Sequence, residues 1–450
     1  MIRNISCSKF LKHQYLTILI PKTKSLRITH LTIHSSIQSP TVLKLLNRSP
    51  RLISFKVSFT SGSCRSGAKW MRNALGPIIQ GKRKNLKELG FYLTYNIKSI
   101  EEIFSLIIII GNQCPNIDSL IINGITIANK YFKKIACSFK NLIKLHLHTI
   151  DHKNMLTILS TFPKLKSLSE TISSHNYHHP NNLNNYQNYY RHNNRSNYQN
   201  YYYSVSHRPN ITNSFHDDMK SIISINQLPI IESLRIQIQQ PFVSYFIPTQ
   251  THLKHLELSK CIDLTDNDIA IIIEWCKKLD SIILRQCPKF TDRSIITIAK
   301  NIPNLNHLRL MEFPHISHSS IIAISDNCRS LKTFELSITT AAIVRFDELS
   351  IKPIIKAPFN SSFIRLLQNC DKLIELSLEL PGSFGNQILN SLGIKGHKSL
   401  KILKYSRIPN EYCDELLDSK FINMLSNGCE NLRVFNLKVE LSKTNLDVSN

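Results

Sequence analysis

Apolar residues recur along this chain with a fixed stride. Leu253, Leu256 and Leu258 are followed by Cys261, Leu264, Ile269, Ile272 and Cys276. Leu279, Ile282 and Leu284 lead to Cys287, Phe290, Ile295, Ile298 and Ile302. Leu305, Leu308 and Leu310 lead to Phe313, Ile316, Ile321, Ile324 and Cys328, and Leu331, Phe334 and Leu336 open a fourth unit. The starts at 253, 279, 305 and 331 lie 26 residues apart. The L-x-L half of each unit alternates apolar and polar positions, the period of a strand with one buried face. Thr265/Asp266 and Thr291/Asp292 stand where a helix N-cap belongs, a side-chain oxygen taking a free backbone N–H. Ile269, Ile272, Ile273 and Cys276 then follow at helical spacing, which gives one apolar stripe.

One strand and one helix cannot close a core alone, so such units must stack on each other. The pattern predicts an α/β leucine-rich-repeat solenoid: a curved horseshoe with a parallel concave sheet and convex helices. The same hexad, with Ile or Phe substituting, begins at Ile28, Leu52, Leu86, Ile117, Leu142, Leu165, Ile231, Leu373, Leu400 and Leu432, which makes fourteen starts. Those at 28 and 165 fit the pattern worst. Residues 15–20 and 28–33 also read as strands of the first repeats.

Two breaks interrupt the stride. From Leu165 to Ile231 the spacing is 66 residues, and residues 175–203 hold ten Asn, eight Tyr and four His. Such a tract buries no core, so residues 175–210 are expected to be disordered and dispensable. A milder gap spans 339–358, with Pro353 and Pro358, and reads as an inserted loop. The expected organisation is one continuous solenoid: basic repeats over 1–172, an Asn/Tyr-rich insertion over 173–229, and cysteine-containing repeats over 230–450.

The pattern L-x-x-L-x-L-x-x-C-x-x-[LF]-T-D, with a Cys before the next hexad, resembles the cysteine-containing leucine-rich repeat of F-box/LRR proteins. The match is specific over 253–336 and loose elsewhere. The resemblance implies a protein-binding surface and a role in substrate recognition for a Skp1–cullin–F-box (SCF) ubiquitin ligase. In that family an F-box module contacts the Skp1 adaptor. The F-box is usually an acidic segment near the N-terminus, whereas residues 1–51 contain no Asp or Glu. A Skp1-like partner is therefore expected only if the full-length protein carries an F-box.

Charge adds a second picture. The chain carries a formal +25, and residues 1–172 hold 26 Lys/Arg against 6 Asp/Glu. Residues 230–450 hold 26 against 23. A field of one sign attracts nucleic acid, an anionic surface or acidic protein alike, so the basic N-terminal third gives an alternative function in nucleic-acid or anionic-surface binding. A bias toward Ile, Asn, Lys and Tyr, as an AT-rich coding sequence produces, is the other source of the excess lysine. Met1 to Gln14 has no apolar core of signal-peptide length, and the Ile103–Ile110 run is about half of what a bilayer crossing needs. A cytoplasmic or nuclear protein with reduced thiols and no membrane span is expected.

No nucleophile elbow, HExxH, P-loop or GxGxxG motif occurs, so neither an enzyme nor a cofactor is expected. The carboxylates Glu101 and Glu102, and Glu411, Asp414 and Glu415, read as solvated helix faces. Cys261 and Cys287 share one repeat position, and Cys276 and Cys328 another, which marks them as core residues. Of His146, His148 and His152, the first two share a strand face and are expected to project from the concave sheet, where two histidines without a nearby third ligand make a poor zinc site. Binding is expected on that face, where the residues between and after the leucines point outward: Arg235, His255, Glu257, Arg285, His307, Arg309, Met311, Glu335, Glu375 and Glu379. His148, Ser259, Thr333 and Ser337 belong to the same outward set. In order, this row runs basic through Arg309 and turns acidic from Glu335, which suits an acidic or phosphorylated segment of a partner.

Overall fold

The computed structural model describes residues 4–6, 28–59, 67–93, 100–171, 228–237, 243–338, 356–381, 388–408 and 419–439, apart from isolated positions within these ranges. The chain divides into two compact units, Met1–Ile231 and Glu232–Asn450. The expected strand over 15–20 and nearly all of the Asn/Tyr-rich insertion lie outside the described residues.

The first unit carries strands β1 (Asn4–Ser6), β2 (His30–His34), β3 (Ser54–Ser58), β4 (Glu88–Tyr92), β5 (Ser119–Asn123), β6 (Lys144–Leu147) and β7 (Ser167–Glu170). Each pairs in parallel with the next. Between them run helices α1 (Ser39–Arg48), α2 (Gly67–Ala74), α3 (Gly76–Ile79), α4 (Ile100–Gln113), α5 (Asn129–Ser138) and α6 (His152–Thr161). The second unit carries β8 (Ser233–Ile236), β9 (His255–Ser259), β10 (Ser281–Arg285), β11 (His307–Phe313), β12 (Thr333–Ile338), β13 (Glu375–Pro381), β14 (Ile402–Ile408) and β15 (Val434–Val439), again parallel neighbour to neighbour. Its helices include α7 (Asp266–Trp275), α8 (Asp292–Asn301), α9 (His318–Asn327), α10 (Lys356–Asn369) and α11 (Ser419–Gly428).

Each of the fourteen hexads has a strand starting two residues into it, including the weak ones at 28 and 165. The fold is a leucine-rich-repeat solenoid. The first residue of each hexad precedes the strand and is buried in all but the last, Leu432; Leu52, Leu253, Leu305 and Leu331 are 0% exposed. The sequence pattern did not reveal β1, which has no hexad of its own. Helix α10 begins at Lys356, so the last residues of the expected 339–358 loop are helical. Pro358 stands in the first turn of that helix, where a missing N–H costs nothing.

One backbone device repeats through both units. The carbonyl of the residue before a strand accepts two N–H groups from the next repeat. Thr29 takes Ile53 N (2.8 Å) and Ser54 N (3.0 Å), and Ile53 in turn takes Lys87 N (2.8 Å) and Glu88 N (3.0 Å). In the second unit Lys254 O takes Asp280 N and Ser281 N, and Asp280 O takes Asn306 N and His307 N. These bonds hold the repeats in one register, so equivalent residues form straight rows across the sheet.

The cysteines serve the same stacking. Cys261, Cys276, Cys287, Cys328 and Cys370 are 0–1% exposed. The Cys276 thiol donates to Gln250 O (3.6 Å), Cys328 to Ala299 O (3.9 Å) and Cys370 to Cys328 O (3.5 Å), each in the preceding repeat. A small apolar side chain with a weak donor fits this position. Burial pushes the thiols of Cys276, Cys328 and Cys370 up to about 12 and that of Cys114 up to about 11.

Candidate functional site

The open face of the second unit's sheet, away from its helices, is organised by register. One row runs Arg235, Glu257, Ile283, Arg309, Glu335, Ser377 and Lys404, each residue opposite the next on adjacent strands. A parallel row runs His255, Ser281, His307, Thr333 and Glu375. Arg285 lies in neither; it stands opposite Ser259 and Met311, two residues further along the strands.

Two arginines of the expected basic ladder, Arg235 and Arg309, are paired with carboxylates across the strands. Arg235 Nε lies 3.1 Å from Glu257 Oε2, and Arg309 Nε lies 3.5 Å from Glu335 Oε2. Arg309 Nη2 also reaches Glu375 at 4.0 Å, and Glu375 accepts from Lys404 Nζ at 2.7 Å. Charges of opposite sign meet across the strands, so the face holds a paired network where a basic stretch followed by an acidic one was expected. The physical reason is the register: cations and carboxylates fall in one row about 4.8 Å apart, within reach of long side chains. Lys404 escaped the sequence reading, although its place in the hexad from Leu400 matches that of Glu335 in the hexad from Leu331.

Burial tunes this network. It pushes the Glu257 carboxyl up, against the opposing pull of Arg235, Arg285 and Arg309. It pushes His307 down, with Lys332, Arg309 and His255 adding to the effect and Asp280 opposing it. His307 Nδ1 meets Thr333 Oγ1 at 3.0 Å. Ile283 is partly exposed between Glu257 and Arg309 in the row, and Met311 is partly exposed opposite Arg285, two residues beyond Arg309 on the same strand. Glu379 is exposed and accepts from Ser337 Oγ at 2.5 Å; His255 is exposed at the strand start.

Four residues expected on the open face are buried. Ser259 is 0% exposed, Thr333 and Ser337 are 6%, and His148 is 8%. Ser259 ends its strand, and Lys260 then turns into left-handed backbone (φ 53°). Gln286 and Glu312 repeat that turn (φ 52° and 54°), yet Arg285 and Met311 before them stay partly exposed. His148 lies beyond β6, with Nδ1 3.0 Å from Asn123 Oδ1. His146 stays on the sheet, but its two ring nitrogens meet Ser169 Oγ and Thr171 Oγ1, both at 2.7 Å.

Other candidate groups are held by neighbours. Glu101 accepts from Lys130 Nζ (3.1 Å) and Tyr131 Oη (3.3 Å), and Glu102 pairs with Arg72 (3.0 Å). Glu411, Asp414 and Glu415 lie outside the described residues. Among the described residues no group of three His, Cys, Asp or Glu side chains converges to hold a metal. Among them, too, no helix is long and apolar enough to cross a membrane.

No protein-family model matches the sequence, and none of the curated proteins is similar to it. Solved structures are similar in fold. The crystal structure of the yeast Rad7 and Elc1 complex matches at 14% identity with a TM-score of 0.50, covering 97% of this chain and 82% of that one. The leucine-rich-repeat protein LegL7 from Legionella pneumophila matches at 11% identity with a TM-score of 0.38, covering 78% of this chain and 98% of that one. At such identity the Rad7–Elc1 likeness speaks for the repeat fold alone.

Proposed function

We propose that this protein is a protein-interaction scaffold whose receptor surface is the open sheet face of the Glu232–Asn450 unit. The observation that carries the reading is the layout of that face. Ile283 lies partly exposed between the Arg235–Glu257 pair on one side and the Arg309–Glu335–Glu375–Lys404 cluster on the other, and partly exposed Met311 follows on the Arg309 strand, opposite Arg285. An apolar centre rimmed by ordered charge is the anatomy of a protein interface. Ion pairs already formed before binding hold their side chains in place, which lowers the entropy lost on docking.

The finer role is substrate recognition for an SCF-type ubiquitin ligase. Two observations support it: the cysteine-containing repeats over 253–336, and the likeness to a repeat fold crystallised as Rad7 with its partner Elc1. Co-expression with a Skp1-like adaptor tests that role, with co-purification as the readout. Capture of the adaptor is expected if the full-length protein carries an F-box. Its failure, with partner binding through Ile283 and Met311 intact, would leave a scaffold outside the ligase.

A further inference from the structure

A second surface lies on the first unit, at the rim where the parallel strands begin. There the stacked repeats enclose a groove of about 1220 Å³. Its floor is the row of residues that precede the strands, including Ile53, Lys87, Asp118, Ile143 and Lys166. The backbone ladder described above fixes that row. Beside it runs the residue before each hexad: Arg51, Asn85, Asn116, Asn141 and Lys164. Asn116 and Asn141 use their amide N–H groups to hold the preceding repeat, at Lys84 O (2.8 Å) and Pro115 O (3.1 Å).

The lining is both cationic and aliphatic. Arg51, Lys84, Lys87, Lys164 and Lys166 face a single acid, Asp118. Among the described residues Arg51, Lys84 and Lys87 enter no ion pair, unlike Arg235 and Arg309 of the other unit. Ile53 is 37% exposed, and Ile230 on the groove wall is 56% exposed. Large aliphatic side chains left in water beside unpaired cations mark a surface that a ligand covers.

We propose that this groove binds an extended acidic peptide carrying aliphatic side chains. The charge complements five cations against one carboxylate. Exposed Ile53 and Ile230 offer apolar area to Leu, Ile or Val of the ligand, at roughly 25 cal/mol for each Å² removed from water. The row from Ile53 to Lys166 crosses four strand spacings of about 4.8 Å, so it spans roughly 19 Å, the length of about six extended residues. Nucleic acid fits less well. Single strands are held by stacking on aromatic rings, and the lining contains no aromatic residue.

The test is fluorescence anisotropy on the full chain with labelled probes of equal length: a peptide of repeated Glu-Leu-Glu, an all-Glu peptide, a Lys-Leu-Lys peptide and a single-stranded oligouridylate. The Glu-Leu-Glu peptide is expected to bind about tenfold more tightly than the all-Glu peptide, a difference of about 1.4 kcal/mol, and Lys-Leu-Lys to show no binding. Lys84→Glu with Lys87→Glu should weaken Glu-Leu-Glu binding more than about tenfold. The same charge change placed elsewhere, in Lys277→Glu with Lys300→Glu, should leave it within about twofold. Ile230→Asp should lower affinity as well, while all variants keep the wild-type urea midpoint. Three outcomes overturn the proposal: no Glu-Leu-Glu binding, equal loss in both charge-reversed pairs, or tighter binding of the oligouridylate than of the peptide. The last would assign the groove to nucleic acid. Because these substitutions leave Ile283 and Met311 intact, their outcome is independent of the receptor face proposed above.

Discussion

The Asp266 carboxylate of one repeat accepts a hydrogen bond from the Thr291 hydroxyl of the next, at 2.7 Å. It also accepts from Thr291 N (2.9 Å) and the Ser294 hydroxyl. Asp292 repeats the arrangement with Ser317 Oγ (2.6 Å), Ser317 N (2.8 Å) and the Ser320 hydroxyl. The Thr-Asp pair thus divides its labour. Thr291 Oγ1 caps its own helix through Arg293 N (3.2 Å), while the aspartate holds the N-terminal turn of the following one. The motif is a clasp between repeats as much as a cap.

Removing that clasp should be costly and local. Asp266→Ala leaves the Thr291 N–H and two hydroxyls to find water at a half-buried seam, which costs about 1–3 kcal/mol. Urea unfolding should show a lower midpoint, with protection from hydrogen exchange lost first at the start of α8. Acid should do the same. Burial pushes the Asp266 carboxyl up, but bonds from Ser294 and Thr291 outweigh it and hold it below its ordinary value of 3.8. The stability it adds is therefore present above that value and lost as pH falls through the depressed one. The acid limb of the urea midpoint against pH should flatten in Asp266→Ala.

A second pH effect sets in nearer neutrality. His397 is 5% exposed, its Nε2–H donates to Cys370 O (3.0 Å), and burial pushes its imidazole below the ordinary 6.5. Between those two values the unfolded chain takes up a proton that the folded one refuses. Stability is thus full above 6.5 and declines as pH falls below it. The wild-type urea midpoint should drop between about pH 7.5 and about pH 5.5. His397→Gln should start lower and show a smaller drop across the same window; an unchanged drop would rule out His397 as its source.

The thiols give a map of packing. Cys137 is exposed, whereas Cys114, Cys261, Cys276, Cys287, Cys328, Cys370 and Cys429 are buried. A buried thiol whose ionisation is pushed to about 12 offers almost no thiolate to an alkylating reagent near neutral pH. Mass-spectrometric mapping after brief iodoacetamide treatment should find Cys137 modified and the seven buried sites protected until urea is added. Early labelling of Cys276 or Cys328 in the native chain would contradict the buried-seam assignment.

The strands were legible because an L-x-L alternation and a buried sheet face share one period, and equal 26-residue spacing fixes the register. The same spacing sets Arg309 opposite Glu335, so one of the ion pairs was within reach of the sequence. Reading the outward residues in chain order, by contrast, suggested a basic stretch followed by an acidic one, because lateral neighbours are invisible in that order. Alternation places Ser259, Thr333 and Ser337 outward with Arg285 and Met311, but it is blind to lateral cover such as His307 on Thr333 and Glu379 on Ser337. Leu228 and Ile230 could not be assigned to the first unit's groove from sequence, since a long insertion separates them from the repeats they line.

The most direct measurement of the receptor assignment is photo-crosslinking from chosen positions. A benzophenone side chain replaces Ile283 on the open sheet face in one protein and exposed Trp275 on the helical side in another. Each is irradiated in extract from cells that make the protein. A discrete covalent adduct is expected from position 283, suppressed by Met311→Asp in the same chain, and none from position 275. Adducts from position 275 with none from position 283 would contradict the receptor assignment and move the binding surface to the helices.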